Sequence, residues 1–163
     1  MELVKKDNSI LSTACESFDF TNPPFDPIEF AHEIMRFMYE NNGLGLAANQ
    51  IGVPYRIFAM RGAPENFVCF NPKMIGTSLD NIVLEEGCLT YPGLLVKVKR
   101  PSMIRVRFDT PNGDTQTRQF IGMSARVFQH EMDHLDGIKF FERANKFHKD
   151  QAFKRWQKIT IDL

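Results

Sequence analysis

Two histidines stand four residues apart in Gln129-His130-Glu131-Met132-Asp133-His134, with a glutamate directly after the first. On an α-helix, residues i and i+4 share one face, a turn apart. Two imidazoles so placed hold one metal ion, and the Glu131 carboxylate reaches a water beside it; this HExxH pattern is equipment for hydrolysis. A catalytic site of this kind takes three protein ligands and keeps a fourth position open. Cys88, in Glu85-Glu86-Gly87-Cys88-Leu89-Thr90, is a candidate third ligand. A thiolate binds Zn²⁺ or Fe²⁺ strongly, and Gly87 lets the backbone come close to a ligand. Taken alone, such a cysteine is more often a small buried hydrophobe. His32, at the edge of an amphipathic segment, reads as an ordinary surface histidine.

A third feature is Gly43-Leu44-Gly45-Leu46-Ala47-Ala48-Asn49-Gln50, where glycines and alanines leave the backbone uncluttered. It is either a tight helix-to-strand connection or a surface for a ligand. It lacks the G-x-G-x-x-G spacing and the Gly-Lys-Ser/Thr of phosphate loops, and it follows a helix rather than opening one. The Gln50 amide can donate a hydrogen bond to a developing oxyanion.

These residues need elements to position them. Asp26-Pro27-Ile28-Glu29 signals a helix start, with Asp26 as cap, Pro27 at the first position and Glu29 completing a capping box. Ile28, Ala31, Ile34 or Met35, and Met38 recur at helical spacing, which predicts a helix ending near Asn42 with Gly43 beyond it. Strands are predicted at Tyr55 to Met60, Phe67 to Asn71, Leu94 to Lys99, Met103 to Asp109 and Thr115 to Ile121. Pro111-Asn112-Gly113-Asp114 reads as the hairpin between the last two. A second helix is predicted from Met123 to Asp136, stopped by Gly137, and a third around Asp150 to Gln157. Residues Met1 to Pro24 read as an extended arm wrapping the rest. The fold class is therefore α+β, with antiparallel strands packed around a central helix that carries the HExxH segment.

With 163 residues, 43% of them apolar, the chain is long enough for one well-cored domain. Twenty basic and twenty acidic side chains cancel. No global field favours nucleic acid or an anionic membrane, so no direct binding to either is indicated, although a balanced total leaves a local patch open. No apolar run approaches the length of a membrane span. The residues from Met1 to Ile10 lack the apolar core of a signal peptide. Three cysteines, odd in number, point away from a disulfide framework and toward a reducing cytosol.

Taken together and in order, Gly43 to Gln50, Glu86 to Thr90 and Gln129 to Gly137 resemble the peptide deformylase family, whose members share a glycine-alanine loop ending in Gln, a Glu-Gly-Cys-Leu-Ser segment and a Gln-His-Glu-x-Asp-His-Leu-x-Gly helix. The resemblance implies one catalytic domain over residues 1–163. It implies metal ligation by Cys88, His130 and His134, and acid–base work by Glu131. Gln50 and the backbone N–H of Leu89 would stabilise the oxyanion. Leu44 and Gly45 would offer backbone hydrogen bonds to a substrate laid alongside like an added strand. Leu44, Leu84, Met123, Val127 and His130 would line a methionine pocket. The implied reaction removes the formyl group from N-formylmethionine at the start of new polypeptides and releases formate. The implied cofactor is one divalent metal ion, natively Fe²⁺, which Zn²⁺, Ni²⁺ or Co²⁺ can replace. The implied partners are N-formylmethionyl nascent peptides, with the ribosome as a further candidate. If the ribosome is contacted, the basic tail residues (Lys146, Lys149, Lys154, Arg155, Lys158) would make the contact, although by charge pattern alone they read first as a solvated helix face. The implied setting is the cytoplasm of a bacterium or a phage-infected host, with an organellar stroma or matrix as the alternative.

Two departures stand out. Thr90 replaces the usual Ser and keeps its hydroxyl. Leu95 occupies the region where many members carry Arg after the Pro-Gly pair, which removes a cationic contact to substrate. Arg100 and Arg126 match positions where the family often has arginine, and both read as structural. Three other readings use the same residues. A zinc endopeptidase would need a ligand downstream of the helix, from Glu142 or His148. A metal-stabilised binding module would close the site with Cys69 or Cys15. A cysteine-nucleophile enzyme would use Cys88 and leave Glu131 idle.

Overall fold

The structure, a computed structural model, describes residues 1–162. The elements run α1 (Pro27–Glu40), β1 (Gly45–Ala47), β2 (Ile57–Met60), β3 (Phe67–Thr77), β4 (Asn81–Cys88), β5 (Tyr91–Pro101), β6 (Met103–Asp109), β7 (Thr115–Ile121), α2 (Gly122–Leu135) and α3 (Lys146–Asp162). Five strands form one sheet in the order β1-β2-β3-β6-β7, and β4 and β5 form a second. Every pairing within these two sheets is antiparallel. The architecture is the expected α+β.

Helix α1 starts where its cap signals place it. The Asp26 carboxylate accepts from the N–H groups of Ile28 and Glu29, and Pro27 opens the first turn. One such cap stabilises a helix by about 1 kcal/mol. Asp26 takes both N–H bonds itself, without a return bond from Glu29. Phe30, Ala31, Ile34 and Met38 form the buried stripe. The helix stops at Glu40, slightly short of Asn42, and Asn42 rather than Gly43 takes the positive φ, at 56°.

Strand β2 is buried along its whole length. Ile57 and Ala59 join the cluster under α1, while Phe58 and Met60 join the one under α2. That two-sided burial explains why Ile-Phe-Ala-Met reads as a continuous apolar run. Strands β5 and β6 alternate instead. Leu94, Val96 and Val98 of β5 are buried with Phe140 and Ala152, where α3 covers the smaller sheet.

The structure differs from the expected strands at three places. Strand β3 runs on past Asn71 to Thr77, through a register shift between Phe70 and Lys73 that Asn71 accommodates with φ 49°. Strand β4 was not expected: from Asn81 to Glu85 both of its faces are exposed, so no apolar alternation marks it. The Gly43 to Gln50 connection contains the short strand β1 and a 3₁₀ turn at Ala48–Ile51. Helix α3 is longer than the predicted segment.

Helix α2 is buried from Ala125 through Leu135 and touches strands of both sheets. It ends as expected, with Gly137 at φ 74°. The arm does wrap the rest: the N–H of Val4 donates to the Gln50 carbonyl at 2.9 Å, and that of Cys15 to the Leu135 carbonyl at 2.8 Å. No helix among the described residues is long and apolar enough to cross a membrane.

Candidate active site

Helix α2 carries His130, Glu131 and His134 on buried faces, and the end of β4 brings Cys88 to them. The ligand atoms of Cys88, His130 and His134 all lie within 4.8 Å of one another. Cys88 Sγ is 3.3 Å from His134 Nε2. Among the described residues Cys15, Cys69, His32, Glu142 and His148 do not join the cluster. The endopeptidase and closed-site readings thereby lose their extra ligands. None of the three cysteines, all among the described residues, is in a disulfide.

Electrostatics prepare these donors. Burial pushes the Cys88 thiol up, but the facing imidazoles of His134 and His130 reverse this and hold it well below the usual thiol range. The thiolate, the form that ligates metal, is thereby favoured. Burial disfavours an imidazolium at His130, yet hydrogen bonding to Cys88 and Glu86 raises it to about 10. An incoming metal ion displaces such a proton.

Behind His130 sits Glu86, which sequence reasoning did not single out. Its carboxylate lies 2.9 Å from His130 Nδ1. It also accepts from Arg100 Nε at 2.6 Å, a second Arg100 nitrogen at 3.0 Å, and Arg126 at 2.7 Å. Burial pushes Glu86 up, and the bonds from His130 and Arg100 outweigh it and hold the carboxyl far below the ordinary range. A carboxylate on the rear nitrogen of a ligating imidazole fixes its tautomer and aim. Arg100 continues to Asp133 at 2.8 Å. Arg100 and Arg126, read as structural, are the cations that make a buried Glu86 tolerable. Only the fold brings residues 86, 100, 126 and 130 together; the sole local signal was the Glu85-Glu86 pair beside Cys88.

Glu131 is 3% exposed, and its Oε2 has no hydrogen-bond partner. Burial raises its carboxyl to about 7, against the lowering pull of His130 and His134. Gly45 explains how the loop closes on it. A Cβ built at Gly45 would fall 2.5 Å from Glu131 Oε1, so only glycine fits without displacing that carboxylate.

Gln50 is held from both ends. Its Oε1 accepts from the Ala47 N–H at 3.0 Å, and its Nε2 donates to Thr90 Oγ1 at 3.0 Å and to Cys88 Sγ at 3.4 Å. Thr90 thus uses the hydroxyl it shares with serine. Leu89 follows Cys88 in the turn between β4 and β5. A cavity of about 450 Å³ opens over the cluster, and its wall includes Leu44, Gly45, Gln50, Cys88, Leu89, Met123, Val127, His130 and Glu131. Leu84 lies outside that wall, on β4 opposite Val98. Leu95 lies in it and packs over Gly87.

The donor set fits a divalent transition metal. One thiolate and two imidazoles satisfy Fe²⁺, Zn²⁺, Ni²⁺ or Co²⁺ and leave a coordination position open. Glu131, in the wall of the same cavity, keeps one buried oxygen without a hydrogen-bond partner among the described residues and would offer an acceptor to a water bound there.

Comparisons with known proteins identify the family. The polypeptide deformylase family model matches residues 1–150. The chain belongs to the polypeptide deformylase family. A relative named peptide deformylase from Wolbachia pipientis of Culex pipiens is 34% identical over 171 aligned positions, covering 96% of this chain and 93% of the relative. The crystal structure of peptide deformylase from Thermus thermophilus superposes with a TM-score of 0.87 at 32% identity, over 96% of each chain. Arabidopsis thaliana peptide deformylase 1B, solved with an inhibitor, gives a TM-score of 0.88 at 27% identity, over 98% of this chain and 90% of that one.

Proposed function

We propose that this chain, as one catalytic domain over residues 1–163, hydrolyses the formyl group from the N-terminal formylmethionine of newly made polypeptides. The observation that carries the reading is the buried Glu131 carboxylate, one oxygen unpartnered, in the wall of the cavity that also exposes Cys88 and His130 of the Cys88, His130 and His134 cluster.

Those three side chains would hold one divalent ion. Bound there, it supplies a water of lowered pKa and a Lewis acid toward the formyl oxygen. Glu131 takes the proton of the attacking water and later delivers it to the leaving amine nitrogen. Its elevated affinity for a proton suits both halves of that transfer. Gln50 Nε2 and the Leu89 N–H donate to the formyl oxygen as it gains charge. The C–N bond breaks, and formate and a free N-terminal methionine result. The backbone of Leu44 and Gly45 aligns the peptide, and Leu44, Met123, Val127 and His130 surround the methionine side chain.

Fe²⁺ is the proposed native metal, on the family resemblance. A thiolate-ligated Fe²⁺ enzyme is expected to lose activity in air and the Ni²⁺ form to keep it; equal survival would remove the argument for iron. Ribosome contact would use the exposed α3 cations Lys154, Arg155 and Lys158, since Lys146 already pairs with Asp150. Truncation after Phe141 would then abolish co-sedimentation with ribosomes.

The direct test is formate release from formyl-Met-Ala-Ser by metal-loaded protein, with acetyl-Met-Ala-Ser and an unformylated internal peptide as controls. One formate per free amine, from the formyl peptide alone, is expected. Cleavage of the internal peptide without formate would overturn the assignment.

A further inference from the structure

A second cleft, of about 690 Å³, opens beside an adjoining face of α2 and shares no lining residue with the active-site cavity. Its walls come from β3 just past the irregularity at Asn71, from the end of β5, and from the last turns of α2. The chain is neutral overall, but this cleft is not. Five cations line it: Arg56, Lys73, Lys99, Arg100 and Arg143. The carboxylates are Asp133 and Asp136. Arg56 bonds Asp136, while Arg100 and Arg143 both bond Asp133. Glu86, buried behind Arg100, shares its single charge between Arg100 and Arg126. Lys73 and Lys99 are left exposed, with no carboxylate partner among the described residues.

The imbalance continues along the adjoining strand. Lys73 lies directly opposite Arg107 in the β3–β6 register, and both are exposed. Like charges set opposite each other across a strand pair repel. Arg105 follows on the same face, opposite Gly76 and Gln119, neither of which is acidic. Asp109 lies further along β6, and its carboxylate accepts a bond from Thr115. An anion held between Lys73 and Lys99 offsets part of this repulsion, and the exposed Ser17 at the cleft margin offers a further donor.

The geometry points to a binding site in this cleft for a ligand bearing two or more phosphate groups. Each phosphate in a linked series carries at least one negative charge and several acceptor oxygens, so two linked phosphates match two unpaired ammonium groups with donors on several sides. A single carboxylate supplies only one charge. Two sources share the chemistry: a free polyphosphate, which the cleft alone would hold, and an RNA backbone, which would also run over Arg107 and Arg105.

The test is titration of the metal-loaded protein with inorganic tripolyphosphate and, separately, with a short fluorescent RNA, at about 0.05 M salt, where screening is weak. Wild type is compared with K73E/K99E. Both carry the same active-site ligands, so heat from metal chelation is common to them. The variant is expected to bind tripolyphosphate about 10- to 100-fold more weakly, the worth of a charge-assisted hydrogen bond, while melting temperature and formate release stay at wild-type values. K73E places an acid opposite Arg107, so the fold should tolerate it; K73Q and K99Q singly give the same reading if the double variant is unstable. R105A/R107A assigns the source: weakened RNA binding with unchanged tripolyphosphate binding identifies RNA, and no change in either identifies the free polyphosphate. Absence of binding to both probes, or equal binding by wild type and K73E/K99E, overturns the proposal. The two binding readouts do not depend on deformylase activity.

Discussion

Replacing Glu86 with glutamine removes one negative charge from the middle of a buried ion network while keeping the side chain's shape. Arg100 would retain Asp133, and Arg126 would retain the carbonyls of Val98 and Ile82. The new NH₂ group, however, would face donors from Arg100, Arg126 or His130 whichever way it turned. Glu86, Arg100 and Arg126 have side chains only 4%, 5% and 7% exposed, so solvent does little to screen the loss. Removing one partner from such a network costs about 3–5 kcal/mol. The acceptors that remain put E86Q at the lower end, about 3 kcal/mol. For a domain of this size that is a melting temperature lower by about 6–12 °C. His130 also loses the partner of its Nδ1, which should weaken metal binding about 10–100-fold. Urea unfolding of metal-free protein reads the first effect as a lower midpoint at unchanged slope; competition with a chelator reads the second. The pH dependence has a definite sign. The Glu86 carboxyl is held below its ordinary value of 4.5, so its stabilisation is complete above pH 4.5 and is lost as pH falls toward the folded value. The gap between wild type and E86Q should thus be widest near neutrality and close in strong acid. A variant within 1 kcal/mol of wild type that also binds metal equally well would refute the reasoning.

Other substitutions probe the rest of the site. Gly45→Ala must displace the Glu131 carboxylate, because the added carbon would lie 2.5 Å from its Oε1; kcat for formate release should fall about 100-fold with little change in melting temperature. Gln50→Ala should lower formate release by about 10²–10³, the usual worth of one oxyanion donor, and a wild-type rate would exclude Gln50 from that role. In metal-free protein at pH 7, alkylation should label Cys88 alone, and added metal should block it. Cys15 and Cys69 should react only after unfolding, since burial raises both. Burial lifts the Cys15 thiol from 9.0 to about 11, so the stability it contributes is intact below pH 9 and lost as pH climbs to 11. Cys15→Ala should flatten that part of the pH–stability curve.

How much of this was legible in the chain depended on whether the signal was local. His130, Glu131 and His134 lie within five residues, and helical geometry alone aligns them. Asp26 with Pro27, and Gly137, mark helix ends by short-range chemistry. Cys88 needed the resemblance, because a thiol's role depends on what the fold brings to it. Strand β4 escaped because a strand exposed on both faces carries no period-two pattern; backbone pairing to β5 makes it a strand. Glu86 escaped because its partners lie 14, 40 and 44 residues away. Gly45 read as an uncluttered loop, and only the packed structure places Glu131 against it. Leu84 was placed in the methionine pocket by resemblance, whereas its strand position leaves it outside the cavity wall.

The most direct measurement pairs metal content with formate release from formyl-Met-Ala-Ser in Glu131→Ala. The expected result is a variant that keeps one metal ion per chain, because Cys88, His130 and His134 are intact, and whose turnover falls by at least the 10²–10⁴ typical of a lost acid–base group. A metal-loaded variant that releases formate at the wild-type rate would contradict the assignment of Glu131, and with it the mechanism proposed for this site.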